Sequence, residues 1–253
     1  MDQYKILTAN KLKVFAIIVM FLDHFATVFF PSNVIITLIF KLLGRMAAPI
    51  FCFFIAQGYH YTSNLKKYTI RLLAFAAISH IPYLLAFHPN NLVFGLGFLK
   101  ATSVILPLAM GLIALAAIKS SKIHIILKPV ILAACCAVSY TANWNYIAVL
   151  WVVAFGLFHG NFLRQSIAFC IICVFYLLIQ PFRLYGIFHE TYPQWQQFGI
   201  FLSLLLLAMY NGQPGKKSPA MKWIFYIFYP AHLILLYLLN QFTVLEEILK
   251  KLW

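Results

Sequence analysis

Charge is what this sequence has least of. Asp, Glu, Lys and Arg together make up 9% of the 253 residues, and only five of those are acidic. A soluble domain carries about 25% charged residues, so too few charges are present here to cover a water-facing surface. No gap between the apolar blocks approaches the ~50 residues of a separate folded domain, and the chain 1–253 reads as one unit. No internal repeat is visible, which removes the usual support for an inverted-repeat transporter. The five cysteines, Cys52, Cys135, Cys136, Cys170 and Cys173, all fall inside apolar blocks. Disulfides need an oxidising aqueous compartment, so these residues, the Cys170-x-x-Cys173 pair included, read as small apolar packing groups.

What is abundant is hydrocarbon. Apolar residues make up 64% of the chain, in blocks near the length that crosses ~30 Å of bilayer core. The blocks are 12–31, 42–61, 67–88, 99–118, 123–141, 145–160, 162–181, 195–212 and 221–242. They predict an all-α, polytopic transmembrane helical bundle of about nine helices, within a range of roughly eight to ten. The first block carries Asp23 and His24 and precedes no small-residue cleavage site, so it reads as a retained helix, not a signal peptide. Residues 33–41 read as a short interfacial or re-entrant helix.

The net charge of +14 does not point to nucleic acid, because the cations lie in short clusters between apolar blocks. With the N-terminus cytoplasmic, the inner segments hold Lys5, Lys11, Lys13, Lys66, Lys67, Arg71, Lys119, Lys122, Lys128, Arg164, Lys216, Lys217 and Lys222, thirteen of the 19 cations. Lys41, Arg45, Lys100, Arg183, Lys250 and Lys251 remain for the other side. This bias follows the positive-inside rule. Aromatics near block ends, among them Tyr140, Trp144, Tyr146, Tyr192, Trp195 and Trp223, read as an interfacial belt.

An ionisable side chain at membrane depth costs ~2.5–3.5 kcal/mol on insertion scales. Asp23, Arg45, His24, His80 and His232 therefore stand out. Neighbours on a helix point ~100° apart, so Asp23 and His24 each need a partner on another helix. Asp23 suits an ion pair with Arg45. His24 suits either a structural hydrogen bond or catalysis, and His80 can cap carbonyls freed by Pro82. His232 follows Pro230, the pattern of a local cavity. Lys66, Lys67 and Arg71 form either a lipid-headgroup anchor or a phosphate clamp. Three functional classes are compatible with these residues. They are a membrane enzyme, a proton-coupled transporter or lipid flippase using the buried charges as a relay, and a haem protein with paired histidine ligands. Zinc on His24, His80 and His232 lacks compact ligand spacing, and no metal is expected.

Several strings resemble the TraX family of bacterial inner-membrane proteins, named for a conjugative F-pilin acetylase. They are Leu22-Asp23-His24, Gly44-Arg45-Met46-Ala47-Ala48-Pro49, Gly58-Tyr59-His60-Tyr61, Lys67-Tyr68 with Arg71, Ile78-Ser79-His80-Ile81-Pro82-Tyr83 and Tyr229-Pro230-Ala231-His232. The family is distantly similar to membrane acyltransferases that acylate sugars. The resemblance implies transfer of an acetyl group from cytosolic acetyl-CoA to an amine or hydroxyl at the outer side, such as a pilin N-terminus or a surface glycan. It implies a multi-pass protein of the bacterial inner membrane, with His24 as general base and His232 second. Asp23 and Arg45 would position the site and Tyr229 would donate to the thioester oxygen. Lys66, Lys67 and Arg71, helped by Lys119 and Lys122, would hold the cofactor's phosphates. Gln57, Ser79 and Asn91 are further polar candidates.

Overall fold

The computed structural model describes residues 4–30, 35–92, 96–184, 194–216 and 218–252. Of the positions singled out above, residues 33–34 of the 33–41 stretch, Tyr192 and Lys217 lie outside the described residues, as do the side chains of Arg183, Trp195, Lys222, Lys250 and Lys251. The chain is all-α. In order the helices are α1 (Ala9–Phe29), α2 (Ile35–Gly44), α3 (Ala47–Tyr61), α4 (Leu65–Phe87), α5 (Ile105–Lys119), α6 (Leu127–Val138), α7 (Asn145–Leu157), α8 (Phe162–Leu184), α9 (Gly199–Ala208) and α10 (Pro219–Leu252). Four stretches are long and apolar enough to cross a membrane: Ala9–Phe29, Ile35–Tyr61, Leu65–Phe87 and Trp223–Thr243. The protein is a multi-pass membrane protein.

Counting α2 and α3 as one broken crossing leaves nine helical segments among the described residues. The break has a local cause. Pro49 offers no N–H, and in a continuous helix its ring would collide with the carbonyl of Arg45. The chain therefore turns at Arg45 and Met46, held by Met46 N–H donating to the Leu43 carbonyl at 3.1 Å. The second crossing accordingly begins at Ile35, not at 42, and the separate interfacial helix expected over 33–41 is its first half.

Alternation of nine segments puts the loops after α3, α5, α7 and α9 at the same end as the N-terminus. Backbone bonds support this arrangement at one end: Leu7 N–H donates to Met209 O at 3.0 Å and Ala9 N–H to Gln213 O at 2.9 Å. At the other end Thr102 N–H donates to Thr141 O, and Asn143 N–H donates to Thr102 O at 2.8 Å. Lys66, Lys67, Lys119, Lys122 and Lys216 all fall at the N-terminal end.

α5 and α7 sit inside the bundle. Nine residues of each are buried, and α5 packs against α4, α6 and α7 while α3 packs against α7. Small residues permit this approach: a Cβ on Gly111 would lie 2.7 Å from the Val152 Cβ, and one on Gly156 would overlap Leu115. In lipid such close contact replaces the hydrophobic drive between helices. α10 packs against α1 and α4, and this sets the site. Gly111→Val is expected to overpack the α5–α7 seam by about 1–3 kcal/mol, read as a lowered melting temperature of the detergent-solubilised protein.

Candidate active site

The polar residues of α1 and α10 meet in the bundle interior. His24 is 8% exposed and His232 3%, and His24 Nδ1 lies 2.8 Å from His232 Nε2. His232 Nδ1 lies 2.8 Å from the carbonyl of Phe228, one turn back on α10. A carbonyl only accepts, so Nδ1 of His232 carries the hydrogen. In the neutral ring Nε2 is then bare and accepts from Nδ1–H of His24. The consequence is directional: a neutral His24 keeps its Nε2 lone pair free, and that atom has no hydrogen bond among the described residues. Aromatic rings hold the pair, with Phe87 edge-on to His24 at 5.0 Å and Phe228 stacked on His232 at 4.9 Å.

His24 lines a chamber of about 40 Å³ together with Asp23, Arg45, Gly44, Ala47, Ala48, Asn143 and Trp144. Asp23 and Arg45 face this space without the direct ion pair expected from the sequence. The Asp23 Oδ1 and the Arg45 Nε are buried and make no hydrogen bond. The turn forced by Pro49 carries Arg45 round to the ring of Trp144, 5.3 Å from its guanidinium carbon. Trp144, which the sequence places in the interfacial belt, lines the chamber. Its backbone is left-handed (φ 62°), and Asn145 follows at φ 24°, a conformation that costs on the order of 1–3 kcal/mol in a non-glycine residue and clusters at functional sites. Asp23 is seated by Gly44, where any Cβ would overlap the Asp23 side chain.

A second, larger cleft of about 680 Å³ opens from the N-terminal end. Its polar lining includes Asn10, Lys13, Thr62, Arg71, Lys216 and Ser218, and Tyr68, Tyr226 and Phe225 line its apolar walls. Arg71 lies between Tyr68 and Tyr226, at 5.4 and 5.1 Å from the ring centroids, with its Nε buried and unbonded. The Asn10 side-chain amide donates to the Lys216 carbonyl at 2.8 Å, tying that loop to α1. Lys66 and Lys67 are exposed and do not line the cleft. Both belong to the first turn of α4, where the Asn64 side chain caps the helix by accepting from Lys67 N–H at 2.8 Å. Arg71, one turn deeper, reaches the cleft. Lys13 and Lys216 join it there.

The chain belongs to the TraX family. The match to that family, described as TraX protein, spans residues 8–240. The chain is also similar to a probable fimbrial assembly protein FimC, serogroup H1, of Dichelobacter nodosus. The two are 29% identical over 231 residues, covering 90% of this chain and 94% of that one. No solved structure matches. In this TraX protein, most of the strings that carried the resemblance contribute to the walls of the two cavities, whereas residues 78–83 line neither.

The remaining candidates are dispersed. His80 Nε2 donates to the Phe98 carbonyl at 2.9 Å, so it ties the loop after α4 and does not cap the carbonyls freed by Pro82. The Tyr229 hydroxyl is buried beside Ser103 and Val104 without a well-formed hydrogen bond. Ser79 is buried with its hydroxyl unbonded, and Asn91 belongs to a 3₁₀ turn. Gln57 accepts from His159 Nε2 at 3.1 Å, in a second histidine pair where His159 stacks on His60 at 3.9 Å. Burial, then the neighbouring His60 and Lys119, hold His159 below the ordinary histidine range. Nothing in the sequence signalled that His60 and His159 would meet, nor that Asn143 would line the chamber with Arg45. The His24–His232 bond is too short to hold an ion between the rings, and no cluster of three metal-ligating side chains occurs among the described residues. Nitrogen-15 spectra of the neutral protein should show both rings as Nδ1–H tautomers. A proton on Nε2 of His24 would reverse the assigned direction of the pair.

Proposed function

We propose that the protein is an acetyltransferase of the bacterial inner membrane, N-terminus cytoplasmic, that moves an acetyl group from acetyl-CoA to an amine or hydroxyl presented at the outer side. The single observation that carries the reading is the meeting of a basic cleft from one end with a histidine-lined chamber towards the other. An acyl donor with an anionic nucleotide and an apolar-tolerant arm fits such a cleft, whose volume lies within the ~300–1,000 Å³ of small-molecule sites. Lys13, Arg71 and Lys216 supply cations for phosphates, and the unbonded Arg71 Nε is a donor awaiting an acceptor.

In the chamber, His24 Nε2 takes the proton of the attacking amine or hydroxyl, and His232 fixes the tautomer that leaves this nitrogen free. The acceptor–acyl bond forms as the acyl–sulfur bond breaks, and the proton passes to the departing thiolate. Arg45 and Tyr229 offer donors, each with an unbonded buried polar atom, towards the oxygen that gains charge. Asp23 balances the Arg45 charge. The similarity to a fimbrial assembly protein favours a pilus-related acceptor over a glycan.

The deciding experiment is acetyl-CoA-dependent thiol release by the purified protein. His24→Ala is expected to lose about 10²–10⁴-fold in rate, the typical worth of a general base. Arg71→Ala should weaken acetyl-CoA binding while sparing the chemical step, and Lys66→Ala should change little. Absence of any acetyl-CoA binding would remove the reading and leave a transporter using the same buried charges as the better account.

A further inference from the structure

The cleft and the chamber share a wall. Met20, Phe51, Val104 and Tyr229 line both. Met20 and His24 stand one turn apart on the same face of α1, and Phe51 lies on α3, one turn beyond Ala47, which lines the chamber itself. Met20 is 8% and Tyr229 4% exposed, while Phe51 and Val104 are half-buried, so the wall joins the packed interior to the open face of the cleft. The chamber is also lined by the small residues Gly44, Ala47 and Ala48, beside Asp23, Arg45 and Trp144. Its 40 Å³ amounts to room for roughly three water-sized groups. That is the heavy-atom content of CH3–C=O, and any longer acyl chain exceeds it.

From this geometry we infer that the shared wall is an acyl-length ruler, with Met20 and Phe51 as the residues that restrict the donor to a two-carbon acyl group. The inference rests on the transferase reading and adds what limits its donor. Packed interiors resist added methylenes, because neighbouring side chains must leave their rotamers to admit them. The cleft does not impose this limit, since a donor's nucleotide end and arm bind there regardless of acyl length. Selection therefore falls on the step that brings the acyl carbon to His24, and it appears in kcat/KM for the acyl series without a matching loss of donor binding.

The test compares acetyl-, propionyl- and butyryl-CoA as donors for the full-length protein in detergent, read as thiol release and as donor binding. Wild type is expected to bind all three similarly but to turn over butyryl-CoA at least ~10-fold less efficiently than acetyl-CoA. Met20→Ala, which removes the thioether arm from the wall, should raise the butyryl-to-acetyl ratio by ~10-fold or more. Phe51→Leu should move the ratio the same way and carries the test if Met20→Ala does not fold. Ala48→Val, which narrows the chamber, should depress acetyl turnover. Equal use of acetyl and butyryl donors by wild type, or an unchanged ratio in both enlarging variants, overturns the ruler and leaves the transferase standing. No thiol release from any acyl-CoA overturns both.

Discussion

A neutral imidazole in hydrocarbon must satisfy its N–H, and the hydrogen bond between His24 and His232 meets that requirement across two helices distant in sequence. His24 without His232 would bury an unpartnered N–H, at a cost of several kcal/mol, whereas His232 has the Phe228 carbonyl for its own N–H. Paired, and tied to the Phe228 carbonyl at 2.8 Å, they fix the contact between α1 and α10 and give the pair a direction. The same bond that makes the two histidines tolerable leaves one nitrogen of His24 unspent. Stability and chemistry draw on one interaction here.

Proline divides the work around that bond. Pro49 breaks the second crossing so that Arg45 turns into the bundle. Pro230 sits in α10 between Phe228 and His232, where it has no N–H to donate to the Tyr226 carbonyl. Gly44 allows Asp23 to lie against the broken crossing. The loop after α6 contributes Trp144 in a strained left-handed conformation, and its ring faces the Arg45 guanidinium. The chamber is therefore assembled from backbone irregularities, each tolerated because it faces protein and not lipid.

The basic residues sort by depth. Lys66 and Lys67, at the rim, remain exposed, whereas Arg71 is half-buried between two tyrosine rings and Lys13 lies within reach of Phe54 and Phe225. Aromatic rings offset part of the cost of lowering a cation into an apolar cleft. A cleft with charge held in its wall and apolar surface beyond suits an anionic head carrying a less polar arm.

Composition and block length alone determined the solvent and the helical class, and put the helical segments at about nine, because hydrocarbon leaves the backbone few options. The scarcity of charge likewise marked Asp23, His24, Arg45 and His232 as residues needing an explanation. Periodicity could not reveal the partners: His24 was certain to need one, but only the packing of α10 against α1 made it His232. The Asp23–Arg45 pairing failed as a direct contact because the turn imposed by Pro49 re-aims the arginine, and a helical projection through 42–61 carries no trace of that turn. Lys67 and Arg71 share a helical face, yet only the neighbouring Tyr226 decides that one lines the cleft and the other does not. Sequence spacing describes one helix at a time, whereas a cavity is a property of the space between several.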